Sequence, residues 1–246
     1  MASGIVIRGA SLTFGELTVL GRFDLTLKRG QSLLVTGANG SGKSVLLQVC
    51  AGLLPATTGM VQLDGLRPDW ARPSSMFRRG VRRGFVFDNG GLIANMSALA
   101  NVTLALRYHA DLLGLSEQDV DDRARKALQE FGVTQSDFHS LPAHLSWGVR
   151  KRVSVARALA MEPNFVFFDD PDVGLDADTR TLLHNLLTRL RDDPKVTMMI
   201  TTGHVGPFEY LGLPVFELKN TYLMEQVTFE GLEGMGNPRP AAENEA

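Results

Sequence analysis

A chain of 246 residues with 44% hydrophobic and 21% charged content suits one large globular domain, or one domain with a lobe. A formal net charge of −2 excludes holding nucleic acid by charge alone, and the single cysteine, Cys50, excludes an intrachain disulfide. Cys50 reads as a small buried apolar residue in a reducing compartment. Residues 1–8 lack a basic start followed by a sustained apolar core, so no secretory leader is expected. The uncharged run of residues 89–106 holds three asparagines and two glycines and would make a poor spanning helix. The expectation is a soluble, cytoplasmic chain that meets a membrane through a partner.

Residues 4–29 alternate short apolar stretches, Ile5-Val6-Ile7 and Leu25-Thr26-Leu27, with turns at Gly15 and Gly21. They predict short, partly exposed strands. Gln31-Ser32-Leu33-Leu34-Val35-Thr36 reads as a buried strand entering a glycine-rich turn, with a helix over 43–54 behind it. A further antiparallel patch is predicted over 60–64, closed by Gly65. From 92 to 130 the pattern is helical, with Val120, Ala124, Ala127, Leu128 and Phe131 at helix spacing and Gly132 as the stop. A helix over 149–161 places Val149, Val153, Ala156 and Ala160 on one face. The apolar run from Asn164 to Phe168 has the character of a parallel strand covered on both faces. A helix over 179–191, a strand over 196–201 and strands within 214–229 complete the pattern. Residues 236–246, rich in Pro, Asn, Glu and Ala, are expected to be disordered. The fold class is α/β, a single domain over 1–235 with an antiparallel β-subdomain and a helical insertion at about 91–160.

Gly37-Ala38-Asn39-Gly40-Ser41-Gly42-Lys43-Ser44, followed by Val45, matches the P-loop pattern with a strand before it and a helix after it. Glycines let the backbone curl until successive N–H groups point at phosphate oxygens, and the helix start adds partial positive charge. Lys43 neutralises β- and γ-phosphate charge, and the Ser44 hydroxyl can take one Mg²⁺ position. ATP and Mg²⁺ are the expected cofactors of a P-loop NTPase core. Asp169 and Asp170 end the buried strand; in a nucleotide site Asp169 holds Mg²⁺ through its water shell and Asp170 orients or deprotonates the attacking water. Read without the P-loop, the same pair is an acidic strand-to-loop corner.

Leu145-Ser146-Trp147-Gly148-Val149-Arg150-Lys151-Arg152, continuing through Arg157 to Pro163, resembles the signature motif and following helix of ABC transporter ATPases. Ala51-Gly52-Leu53-Leu54-Pro55, Leu63-Asp64-Gly65, Gly174-Leu175-Asp176 (the D-loop) and Thr202-Gly203-His204 (the switch histidine) agree with that family in order and spacing. The resemblance implies the ABC ATPase cassette fold and two chains sandwiching two ATPs. Ser146 and the Gly148 N–H would then face the γ-phosphate across that interface, and His204 would contact the γ-phosphate. Ser146 also reads simply as a helix cap, and His204 as a loop histidine. Phe14 stands where the family often stacks an aromatic residue on adenine; an aromatic near a strand end also reads as core. The segment 170–176, the basic run after the signature and Phe87-Asp88-Asn89-Gly90-Gly91-Leu92 resemble the ATPases of Mla/MCE-type lipid transporters. The implied partners are a second ATPase chain, a transmembrane permease docked on residues 91–107, and an MCE-domain protein, with no nucleic acid.

Three positions depart from the family. Asp170 stands for the catalytic glutamate, Asp88 for the Q-loop glutamine and a metal contact, and Trp147 for the first signature glycine. The expectation is intact binding with slow hydrolysis, or a non-hydrolysing subunit with a structural role.

Overall fold

The computed structural model describes residues 4–72 and 74–226. In chain order the elements are β1 (Ile5–Phe14), β2 (Leu17–Leu27), β3 (Ser32–Thr36), α1 (Lys43–Cys50), β4 (Thr58–Leu63), α2 (Ser75–Arg78) and β5 (Arg83–Val86). They continue as α3 (Ala98–Tyr108), α4 (Ala110–Leu113), α5 (Glu117–Glu130), α6 (Trp147–Leu159), β6 (Phe165–Asp169), α7 (Ala177–Asp192), β7 (Thr197–Thr202), β8 (Val215–Lys219) and β9 (Tyr222–Gln226). They form two compact units: the first holds the described residues up to Val81 and from Leu190 on, the second Arg82–Arg189. The expected domain end at 235, the tail 236–246 and residues 227–229 lie outside the described residues.

In the first unit, β1 pairs antiparallel with β2 on one side and β4 on the other. These strands are longer than the predicted patches because β1 buries Ile5, Ile7, Ala10 and Leu12 while bulges re-register its pairing with β2. β3 lies between β7 and β8, parallel to both, and β9 runs antiparallel outside β8. Every residue of β3 and β7 is buried, as strands covered on both faces require. α1 stops at Cys50, four residues short of the predicted end. Gly52 takes a φ of 64°, its N–H donates to the Val49 carbonyl and the Leu53 N–H to the Gln48 carbonyl, which closes the last turn and ends the helix.

In the second unit, β5 pairs parallel with β6; no strand was predicted over 83–86, a run of four residues with two charges or glycines in it. Helices α3, α5 and α6 pack on one another. The predicted helical insertion, 91–160, falls inside this unit. The helical signal from 92 onwards begins late, at Ala98 with Ser97 as its cap. Asn101, fully buried, explains the delay: its amide donates to the carbonyls of Ile93, Met96 and Ser97 and accepts from the Ile93 N–H, so 93–97 is tied down as a loop. α5 ends as predicted, with Gly132 left-handed behind it. Among the described residues no helix is long and apolar enough to cross a membrane.

Candidate functional site

In the first unit β3 ends at Thr36, residues 37–42 turn, and α1 starts at Lys43. Gly40 and Gly42 have φ values of 78° and 100°, a left-handed backbone that explains glycine at both. The start of α1 carries no side-chain cap and no acidic residue in its first turn, the setting in which a helix start attracts an anion. Lys43 is buried and folds over the loop, its Nζ donating to the carbonyls of Gly37 (2.9 Å) and Ala38 (3.1 Å). The Ser41 hydroxyl is buried with no hydrogen-bond partner among the described residues. A cation, an uncapped helix start and an orphaned hydroxyl on one loop fit a polyphosphate. Ser44 and Val45 follow on the first turn of α1.

β7 ends beside β3, with Thr202 in register with Thr36 and Glu217 of β8 on the other side. Gly203 and His204 therefore leave the sheet next to the P-loop. The two loops line one cavity of about 580 Å³, with Thr36, Gly37, Ala38, Gly203, His204 and Glu217 on its wall. Asn39 closes on the same place: its Oδ1 lies 3.6 Å from where a Cβ on Gly203 would stand. The Thr202 hydroxyl fixes the His204 backbone, accepting from its N–H and donating to its carbonyl, each at 3.1 Å. Phe14, at the end of β1, is 53% exposed, so it is not a core residue.

In the second unit β6 is buried throughout and delivers Asp169, 2% exposed, at its end. Asp170 follows with a φ of 38°. Asp88 is exposed, its Oδ1 accepting from the Asn89 N–H at 2.6 Å. The loop that carries it is held from α6. Lys151 Nζ donates to the carbonyls of Phe87 (3.1 Å), Asp88 (2.8 Å) and Asp170 (3.3 Å). Arg157 donates to the carbonyls of Gly91 (2.6 Å) and Gly90 (3.1 Å). Burial pulls the Lys151 ammonium down to a pKa of about 8, against the opposing pull of Asp88, Asp169, Asp170 and Asp172. The sequence reading gave Lys151 and Arg157 no role. The available signal was a lysine on the same helical stripe as buried Val155 and Ala158.

Ser146 caps α6, accepting from the Val149 N–H at 3.3 Å, and is exposed. Gly148 sits against Asp176, whose Oδ2 would be 2.7 Å from an added Cβ. Trp147, at the first signature glycine, is held by its own chain: its Nε1 donates to the Val173 carbonyl at 3.1 Å. One unit thus gathers the P-loop and His204, and the other gathers Asp88, Asp169 and Asp170 around Lys151.

Residues 20–173 match the family model of the ABC transporter. The lipoprotein-releasing system ATP-binding protein LolD of Bacteroides thetaiotaomicron is 33% identical over 203 residues, covering 82% of this chain and 91% of the relative. The glutamine transport ATP-binding protein GlnQ of Escherichia coli is 32% identical over 205 residues, 82% of each chain. A dimeric, post-hydrolysis structure of the ATP-binding cassette MJ0796 bound to ADP and Pi superposes with a TM-score of 0.80 at 26% identity, covering 92% of this chain and 100% of the other. The chain belongs to the ABC transporter family, as an ATP-binding subunit with the cassette fold.

Proposed function

We propose that this subunit hydrolyses ATP slowly and powers the movement of a lipid or another hydrophobic substrate through a separate permease. The observation that carries the reading is the phosphate cradle: an uncapped helix start, buried Lys43 and the unpartnered Ser41 hydroxyl on one loop. In this reading the N–H groups of residues 37–44 and Lys43 hold the β- and γ-phosphates, and Asn39 and Val45 flank them. Phe14, exposed at its strand end, stacks on adenine. Mg²⁺ needs hard oxygen donors; Ser44 would offer one in the first unit, and Asp169 and Asp88 would offer carboxylates in the second; when bound it would neutralise charge developing on the phosphates. Asp170 orients the attacking water and accepts its proton, while His204 donates to the γ-phosphate. Ser146 and Gly148 present a capped helix start to the nucleotide of a second chain. Slow hydrolysis rests on Asp170 and Asp88 in place of longer side chains.

The lipid assignment rests on the likeness of 87–92 and 170–176 to Mla/MCE-type ATPases, and the lipoprotein-releasing relative is compatible with it. Other relatives serve amino-acid and sulfate transport, so the cargo follows from the permease. The permease contact is placed on 91–107, where Ile93 and Leu104 are exposed while Leu99 is buried. An MCE-domain protein belongs to the same proposal, as does a location on the inner face of the cell membrane. The second reading, a non-hydrolysing subunit, is favoured by the same two aspartates.

Lys43→Ala tests the cradle. The folded variant should lose ATP affinity by at least about 100-fold in a nucleotide titration, the order expected when a charge-assisted phosphate contact is lost. Unchanged affinity would refute the phosphate assignment. Lipid movement is read from labelled phospholipid in vesicles carrying the assembled complex; movement that does not depend on ATP refutes the cargo assignment.

A further inference from the structure

At the first glycine of the signature the family has no side chain to place. Here the position carries an indole, and the chain has built a seat for it. The Trp147 Nε1–H donates to the Val173 carbonyl at 3.1 Å. Gly174, next along, has a φ of 73°, and a Cβ added there would fall 2.8 Å from Trp147 Nε1 and 3.0 Å from its Cδ1. Gly174 is thus required twice, by its backbone and by the ring lying on it. The Arg150 guanidinium covers the indole at 5.2 Å from the ring centroid.

The same two segments meet at further points. An added Cβ on Gly148 would meet Asp176 Oδ2 at 2.7 Å, so the helix start and the acid are in direct contact. Arg152 donates from Nε and Nη2 to Thr179 Oγ1, at 2.9 and 2.6 Å, and its guanidinium lies 3.7 Å from Asp176. Asp176 in turn caps α7 through the Thr179 N–H at 2.7 Å, a bond that holds its carboxyl below the usual range. The start of α6 and the turn 173–176 are therefore one piece, closed at one end by Arg152 and at the other by Trp147.

We propose that Trp147 is a positioning residue: it latches the signature turn to the 173–176 turn of its own chain, so that Ser146, Gly148 and Asp176 are presented to a second chain as one surface. The proposal rests on the ATP-dependent pairing described above. A glycine at 147 would leave the two turns joined by the Gly148–Asp176 contact and Arg152, with nothing holding the Val173 end. Preorganisation of this kind lowers the ordering cost of association.

The test uses the full chain in a Trp70→Phe background, where Trp147 is the sole indole. Three readouts are taken: Trp147 emission, ATP affinity, and the ATP-dependent dimer fraction by sedimentation. Gly174→Ala should shift the Trp147 emission to the red, as the ring leaves its seat, with ATP affinity within about twofold of the parent. Loss of one such hydrogen bond should weaken ATP-driven dimerisation by about three- to tenfold. Trp147→Phe, which keeps the ring and removes the donor, should weaken it similarly. The pair Trp147→Phe/Gly174→Ala should be no worse than the stronger single variant, because both remove one contact. Multiplicative effects, an unmoved emission, or tighter dimerisation in Trp147→Gly would each overturn the latch. Failure of the parent chain to bind ATP would overturn the proposed function instead, and binding without dimerisation would overturn the latch.

Discussion

Asp170 occupies a backbone region that few side chains accept, with a φ of 38° directly after a fully buried strand. Aspartate and asparagine tolerate left-handed geometry better than longer residues, because a short polar side chain can bond locally. The loss of one methylene relative to glutamate therefore has a backbone counterpart: the residue that reaches less far is also the one that sits more easily here. Two effects then oppose each other in Asp170→Glu. The carboxylate gains reach, and a misplacement of about 1 Å in such a group can cost on the order of 10²-fold in rate. The backbone gains strain of up to about 1 kcal/mol. The expected result is faster phosphate release together with a slightly lower melting temperature. Asp170→Asn, which keeps the geometry and removes the charge, should melt at or above the parent temperature and abolish hydrolysis. A parent that turns over rapidly, and slows on Asp170→Glu, would show the site to be fitted to aspartate. The place of the carboxylate pair at the end of a buried strand was legible in the sequence, because it is written in adjacent residues. The φ of Asp170 was not, since it depends on what surrounds the end of β6.

At the scale of the element, α6 explains most of what the sequence left out. Its Lys151 and Arg157 grip a loop more than sixty positions earlier in the chain, and a separation of that size leaves no periodicity to read. The same holds for Asn101, whose buried amide turns an apparently helical run into a loop. By contrast, the P-loop, the stop at Gly132 and the buried strands β3 and β6 were legible, because each is specified by neighbours in sequence. Lys151→Met would remove the donor from three carbonyls and should destabilise the chain by about 2–4 kcal/mol, as expected when buried acceptors lose a charged partner. The lysine also leaves a signature in pH. Burial lowers its folded pKa to about 8 from 10.5, so between those values the unfolded chain binds more protons than the folded one. The contribution of this group to stability is complete above the unfolded pKa and is lost as pH falls through about 8. In Mg²⁺-free buffer, the urea midpoint of the parent relative to Lys151→Met should therefore rise between pH 8 and pH 10. A difference that stays flat, or falls, would place the ammonium in contact with water instead.

For the whole molecule, the binding and hydrolytic parts make separate demands on time. The phosphate cradle sits on β3 and α1 and is built from backbone, Lys43 and Ser41, none of which departs from the P-loop pattern. The departures, Asp88 and Asp170, sit on loops held by α6, and in the proposed function they bear on the chemical step. A chain so divided should load ATP readily and release phosphate slowly. The similar cassette MJ0796 is dimeric with ADP and Pi bound, so the nucleotide-loaded pair is the state to watch. With ATP and Mg²⁺, the unmodified chain should convert from monomer to dimer on a sizing column, without any substitution to block hydrolysis. The dimer should persist after free nucleotide is removed, decaying with the same rate constant as phosphate appears. Anything that binds the paired state alone stabilises it by mass action, so saturating ATP should also raise the melting temperature, by an amount that grows with ATP concentration. Lys43→Ala should remain monomeric under the same conditions, and Asp170→Asn should lengthen the lifetime of the dimer further. Saturated binding with no dimer at any ATP concentration would sink the pairing, and a dimer that collapses within seconds as phosphate is released would sink the slow step.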